Sequence, residues 1–329
     1  MNRVDRVSGL IMGAVIGDCL GMPYIFMKSS QLIKQSSQIC WEVSDCGMSS
    51  RIMFDALRVI WNRGVQIEGL ARAYRASIDK GYEIDCVFAE RFGDGQKGAS
   101  GHGGEYEDMG ALCSNHLLIR QIPLVLAGID WDRETLFRVV ESECRLTHGD
   151  SESIECAQLY AYCLQGILQG KSRIELWDRL FEAVQSRRMN KVLLNSYYEK
   201  PCCDDADYSF ASVAFGMAMY HFWHDIPIVS GLRGTILAGG ATDINGAAVG
   251  AILGAWQGIR AIPGVWRESM LEAHGEGVLL KKALKYGVQI CRRSGIGLER
   301  HVDMHWRSER RYVSGHAGSQ TSRSVALGA

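Results

Sequence analysis

Apolar residues recur at three- and four-residue intervals along most of the chain, and strand-like alternation is hard to find. Windows with this spacing lie near residues 5–21, 47–63, 66–79, 116–128, 133–145, 151–169, 174–187, 209–223, 226–237, 243–258 and 266–287. Side chains three or four positions apart share one face of an α-helix, so each window predicts a helix with an apolar stripe. Pro23, Pro123, Pro227 and Pro263 fall at or near window ends, where a residue without an N–H costs little. The expectation is an all-α, single compact multi-helical domain over residues 1–306, with short loops.

Two windows carry a second period. Gly9, Gly13, Gly17 and Gly21 repeat every four residues, as do Gly246, Gly250, Gly254 and Gly258. A glycine costs about 1 kcal/mol relative to alanine inside a helix. Four in register therefore predict another backbone packed very close, and the two ridges are expected to be neighbours in one core. Asp18 sits inside the first apolar window, where a carboxylate has to be paired, capped or liganded. Gly239-Gly240 breaks the chain before the second ridge, and Thr242 and Asp243 stand where that helix starts. Free N–H groups and oxygen side chains at such a start can hold an anion or a metal.

Composition adds bounds. A chain of 329 residues with 47% hydrophobic content supports a sizeable core, and a net charge of −1 offers no global electrostatic case for nucleic acid. The 11 cysteines are scattered, without CxxC or CxxH spacing, and Cys202-Cys203 are adjacent. Cys19, Cys113, Cys156 and Cys163 lie in apolar runs and read as small buried hydrophobes, which predicts a reducing, cytoplasmic setting. Arg3 and Arg6 ahead of an apolar stretch imitate a signal peptide. Asp18 interrupts that stretch and the glycine period continues to Gly21, so a buried helix is predicted and no bilayer-spanning segment is expected. The glycine-rich residues 93–110 predict a loop, and residues 307–329 a disordered basic tail.

Four segments, in order, resemble the ADP-ribosylglycohydrolase family, the all-α fold that includes the dinitrogenase-reductase-activating glycohydrolases and a jellyfish crystallin. GLIMGAVIGDCLGMP is similar to the family's first helix, and Ser44-Asp45-Cys46-Gly47 stands where the family has Thr-Asp-Asp-Thr. The run from Ser114 to Leu124 resembles S-N-G-A-L-M-R-I-A-P-L, and Thr147-His148 its T-H motif. GGATDINGAAVGAILGAWQGIRAIPGVW resembles the closing G-G-D-T-D-T helix with its I-P-x-x-W ending.

The resemblance implies two divalent cations, Mg or Mn, that bind the ribosyl hydroxyls of ADP-ribose and position water to cleave its glycosidic bond. Carried over, it implies Ser44, Asp45 and Asp243 as metal ligands, with Asp45 and Asp243 the catalytic carboxylates converging on one cleft. It likewise implies Ser114, Asn115, His148 and Thr242 as ligand-binding residues, whereas Arg120 is expected in an ion pair that supports the fold. The chain departs from the pattern elsewhere. Ile25, Cys46 and Ala241 replace three carboxylates, Ile244 replaces a threonine and His116 a glycine. A hard cation wants roughly six oxygen ligands, so metal binding is expected to be weak or absent. The expectation is an impaired glycohydrolase-like protein that binds ADP-ribose, an ADP-ribosylated protein or a protein partner, such as an ADP-ribosyltransferase that it antagonises. An active hydrolase and a structural, crystallin-like role remain as alternatives.

Overall fold

The computed structural model describes residues 1–43, 45–79, 115–204 and 210–294. Among these residues there are fourteen α-helices and no strand. They are α1 (Arg3–Gly21), α2 (Ser29–Lys34), α3 (Met48–Arg63), α4 (Ile67–Asp79), α5 (His116–Ala127), α6 (Arg133–Cys144) and α7 (Ser151–Leu168). The remainder are α8 (Arg173–Ala183), α9 (Arg187–Tyr198), α10 (Ala211–Trp223), α11 (Ile228–Ile236), α12 (Thr242–Gln257), α13 (Gly264–Glu272) and α14 (Glu276–Ser294). The glycine-rich loop of residues 93–110, the boundary at 306 and the tail of residues 307–329 lie outside the described residues.

The two glycine ridges meet at the centre. α1 and α12 run antiparallel, with Gly9 against Gly254, Gly13 against Gly250, Gly17 against Gly246 and Gly21 against Thr242. A Cβ at Gly13 would lie 2.1 Å from the Gly250 carbonyl oxygen, and one at Gly17 2.0 Å from that of Gly246. Only glycine permits that approach. The side chains between the ridges, among them Leu10, Ile11, Met12, Ile16 and Leu20 on α1, are fully buried. α5, α7, α10, α11 and α14 pack around the pair, and Tyr160 of α7 donates its hydroxyl to the Ala248 carbonyl at 3.0 Å.

Five features differ from the sequence expectations. The window over 266–287 is two helices, because Gly275 adopts φ +81° between them. The window over 174–187 stops at Ala183, where Glu155 of α7 accepts the N–H groups of Gln185 and Ser186. Ser186 then caps α9, which the windows missed because it buries only Met189, Leu193 and Ser196. Pro123 lies inside α5 and not at its edge; every residue of that helix is buried, and its packing outweighs one absent N–H. Finally, Arg3–Tyr24 is long and apolar enough to cross a membrane by length and composition, yet 78% of its apolar window is buried within the protein.

The core also encloses an unpaired base. His221 of α10 is 4% exposed, and neither ring nitrogen has a hydrogen-bond partner among the described residues. Burial, helped by Lys200 and His224, lowers its pKa to about 4. An unfolded histidine takes up a proton near pH 6.5, so the folded state loses stability as pH falls from there toward 4. His221→Leu is expected to match the parent in urea unfolding at pH 8 and to exceed it by about 3 kcal/mol at pH 4. A difference that is constant with pH would show that His221 does not titrate on unfolding.

Candidate functional site

The antiparallel ridge brings the C-terminal end of α1 beside the first turn of α12. Thr242 donates its hydroxyl to the Gly21 carbonyl at 2.8 Å, which seals one helix end against the other. The chain reaches α12 through Gly239 (φ +80°) and Gly240 (φ +71°), a left-handed turn that side chains disfavour. Residues 25–28 clamp it: Phe26 donates its N–H to the Gly240 carbonyl at 2.8 Å, Gly240 donates to Met27 at 3.1 Å, and Lys28 bridges Gly239.

Asp18 is completely buried one turn from the end of α1. Its Oδ2 accepts both the N–H and the hydroxyl of Ser50. α3 has Gly47 at its N-cap and therefore no capping side chain of its own, so Asp18 caps it from another helix. Burial raises the Asp18 pKa to about 6, against the pull of Ser50, Gly47 and Arg51.

Asp243, in the first turn of α12, is 7% exposed, and its Oδ1 has no partner among the described residues. Burial and then the charge of Asp18 raise its pKa to about 6, while His116 pulls it down. His116 opens α5, and its Nδ1 lies 2.7 Å from the Ser49 hydroxyl. Beside it, Asn115 donates its amide to the Asn245 side-chain oxygen at 3.0 Å, tying the start of α5 to the first turn of α12. Asp18, Ser49, Asn115, His116, Asp243 and Asn245 thus form a buried polar cluster in an apolar centre. The sequence reading does not single out Ser49 or Asn245, and it notes His116 only as a replacement for a glycine. The signal available was a histidine standing where the family motif has a glycine.

Asp45 is exposed in the segment that leads into α3, and its charge helps to raise the Cys19 pKa after burial and Asp18. Ser44 and Ser114 lie outside the described residues. His148 is buried, with Nδ1 2.7 Å from the Thr147 hydroxyl, which also accepts from Arg120 at 2.7 Å. Arg120 pairs with Glu143 at 2.7 Å, both buried, as expected for a fold-supporting ion pair. Although burial opposes its charge, Glu143 holds the Arg120 pKa above its ordinary value. Asp150 caps α7 through the Ser153 N–H at 2.7 Å, beside a small open cleft of about 100 Å³ lined by Glu152, Arg188 and Phe210.

These residues do not fit a two-cation centre. Ile25, Ala241 and Ile244 offer hydrocarbon, and burial pushes the Cys46 thiol up to about 12, so it stays protonated and soft. Asp18 Oδ2 caps α3, and Thr242 donates its hydroxyl to the Gly21 carbonyl. Among the described residues, no three His, Cys, Asp or Glu side chains converge as metal ligands.

A solved structure described as an ADP-ribosylglycohydrolase-related protein complex is similar in fold, with a TM-score of 0.71 and 22% identity, covering 88% of this chain and 99% of that one. No curated protein matches the chain in sequence. The family model described as ADP-ribosylglycohydrolase matches residues 1–290, a span that contains the glycine-paired helices and the polar cluster between them. The chain belongs to the ADP-ribosylglycohydrolase family.

Proposed function

We propose that the protein binds an ADP-ribose-related ligand, free or attached to a modified protein, and has lost the metal-dependent hydrolysis of its family. The observation that carries this reading is the replacement of oxygen ligands by Ile25, Cys46 and Ala241 around an Asp243 that keeps its place. Two carboxylates, Asp45 and Asp243, with the Ser44 hydroxyl hold hard dications weakly unless water and substrate supply most of the ligands. Without the cation, no water is activated at the anomeric carbon, and an isoleucine cannot move a proton in place of a glutamate. Binding survives such losses more readily than turnover, because the scaffold that shapes the cleft does not depend on the ligands to the metal. Occupancy alone would suffice to antagonise an ADP-ribosyltransferase. A second reading, a metal-free hydrolase, is favoured by the Ser49–His116 hydroxyl–imidazole pair beside Asp243.

Calorimetric titration of ADP-ribose in EDTA, and again in Mn²⁺ or Mg²⁺, separates these readings when combined with release of ADP-ribose from a modified protein. The expected result is binding in EDTA, little change on adding metal, and no turnover. Metal-dependent tight binding with turnover would overturn the loss of metal chemistry. Turnover in EDTA would establish the second reading in its place.

A further inference from the structure

Helices α8 and α9 expose four large apolar side chains: Ile174 (76%), Leu194 (40%), Tyr197 (50%) and Tyr198 (78%). They form one strip. The ring of Trp177, one turn after Ile174, meets that of Tyr197 edge to face at 5.3 Å, and Leu194 lies one turn before Tyr197 and Tyr198. Trp223 and Phe181 hold Trp177 in place, with ring centroids 5.0 and 4.5 Å away. An aromatic surface fixed in this way loses little side-chain freedom when something docks on it.

Charge divides along the same strip. The exposed charges of α8 are all acidic, Glu175, Asp178 and Glu182, because its two arginines are engaged elsewhere: Arg173 pairs with Asp225, and Arg179 lies over Tyr162. The exposed charges of α9 are all basic, Arg187, Arg188 and Lys191. Lys171 takes Glu175, and Glu152 takes Arg188. Asp178 and Glu182 on one side, and Arg187 and Lys191 on the other, have no ion pair among the described residues. Each pair is spaced by four residues and so shares one helix face.

We propose that α8 and α9 form a two-fold interface with a second copy of this chain. A two-fold axis along the strip sets α8 of each copy opposite α9 of the other, so that every contact occurs twice. Asp178 and Glu182 then face Arg187 and Lys191 on both sides of the axis, and the apolar strip meets its own copy at the centre. Tyrosine and tryptophan at the centre with charges at the rim is the arrangement that gives an interface its affinity and its register. The alternative that sets α8 against α8 brings acid to acid and base to base, which opposes it. A partner of a single charge sign would match only one of the two rows.

The test is sedimentation velocity of the full chain over a concentration series reaching about 100 μM. The parent is expected to dimerise in the micromolar range, more weakly as salt is raised. Tyr198→Ala is expected to weaken the dimer about tenfold. Asp178→Lys with Glu182→Lys makes both rows basic, and Arg187→Glu with Lys191→Glu makes both acidic. Each of these variants alone is expected to be monomeric, and a one-to-one mixture of the two to dimerise again, because each then offers the row that the other lacks. Should a reversed variant fail to fold by circular dichroism, Asp178→Asn with Glu182→Gln weakens the dimer without reversing its charge. A parent that stays monomeric throughout overturns the proposal. So does a parental dimer that persists in the charge variants, which would use another face, and so does a mixture that fails to recover it, which would exclude the two-fold pairing of α8 with α9.

Discussion

Gly250→Ala is expected to destabilise the protein by about 3 kcal/mol, and Gly250→Leu to leave no folded protein. The new Cβ would lie 2.0 Å from the Gly13 carbonyl oxygen. That atom belongs to a buried helix backbone, so it cannot rotate away as a flexible side chain would. α1 and α12 would have to separate, opening the contact along the whole ridge and exposing the packing beside it. Alanine's better helix propensity returns only about 1 kcal/mol, and the clash wins. Gly170 offers the control: nothing lies within 4 Å of a Cβ there, although its φ of +82° adds local strain to any substitution. Urea unfolding of Gly250→Ala within error of the parent would mean that the two backbones are not in contact in solution.

The second large effect is expected at the buried ion pair. Arg120 and Glu143 are 1% and 0% exposed, and Tyr74, Gln121 and Thr147 complete their hydrogen bonds. Arg120→Met should cost about 3–5 kcal/mol, because it strands a carboxylate in the core with two neutral donors in place of a guanidinium. Arg120→Met with Glu143→Leu should recover much of that loss, since removing both charges removes the desolvation penalty with the attraction. A double-mutant cycle measured by urea unfolding reads the coupling directly. Arg120→Met alone within about 1 kcal/mol of the parent would show that the pair is not the anchor its burial indicates. His148 should lose its orientation in the same variant, because Thr147, its hydrogen-bond partner, is held by Arg120.

The helical class, the core and the meeting of the two glycine ridges were legible in the sequence. Helical periodicity is a local property, repeated every turn, and a glycine at each fourth position has few causes other than close backbone contact. The ion pair of Arg120 was also foreseeable, since a buried guanidinium requires a carboxylate. Element ends were less legible: α8 stops where Glu155, 30 positions before Gln185, accepts the N–H groups of the next residues.

At the candidate site the division is sharper. The sequence by itself shows side chains without oxygen at Ile25, Cys46 and Ala241, where the family resemblance implies carboxylates, and these offer no oxygen to a hard cation whatever the fold does with them. It could not determine what remains. Asp18 caps α3, Thr242 seals Gly21, Asn115 is bound to Asn245, and His116 stands against Ser49 beside Asp243, with partners up to 221 positions away. A side chain's partner is set by which helix ends the packing brings together, and here the antiparallel ridge alone brings the end of α1 to the start of α12. Tertiary structure therefore decided which polar groups are spent on the fold and which, such as Asp243 Oδ1, are left without a partner among the described residues.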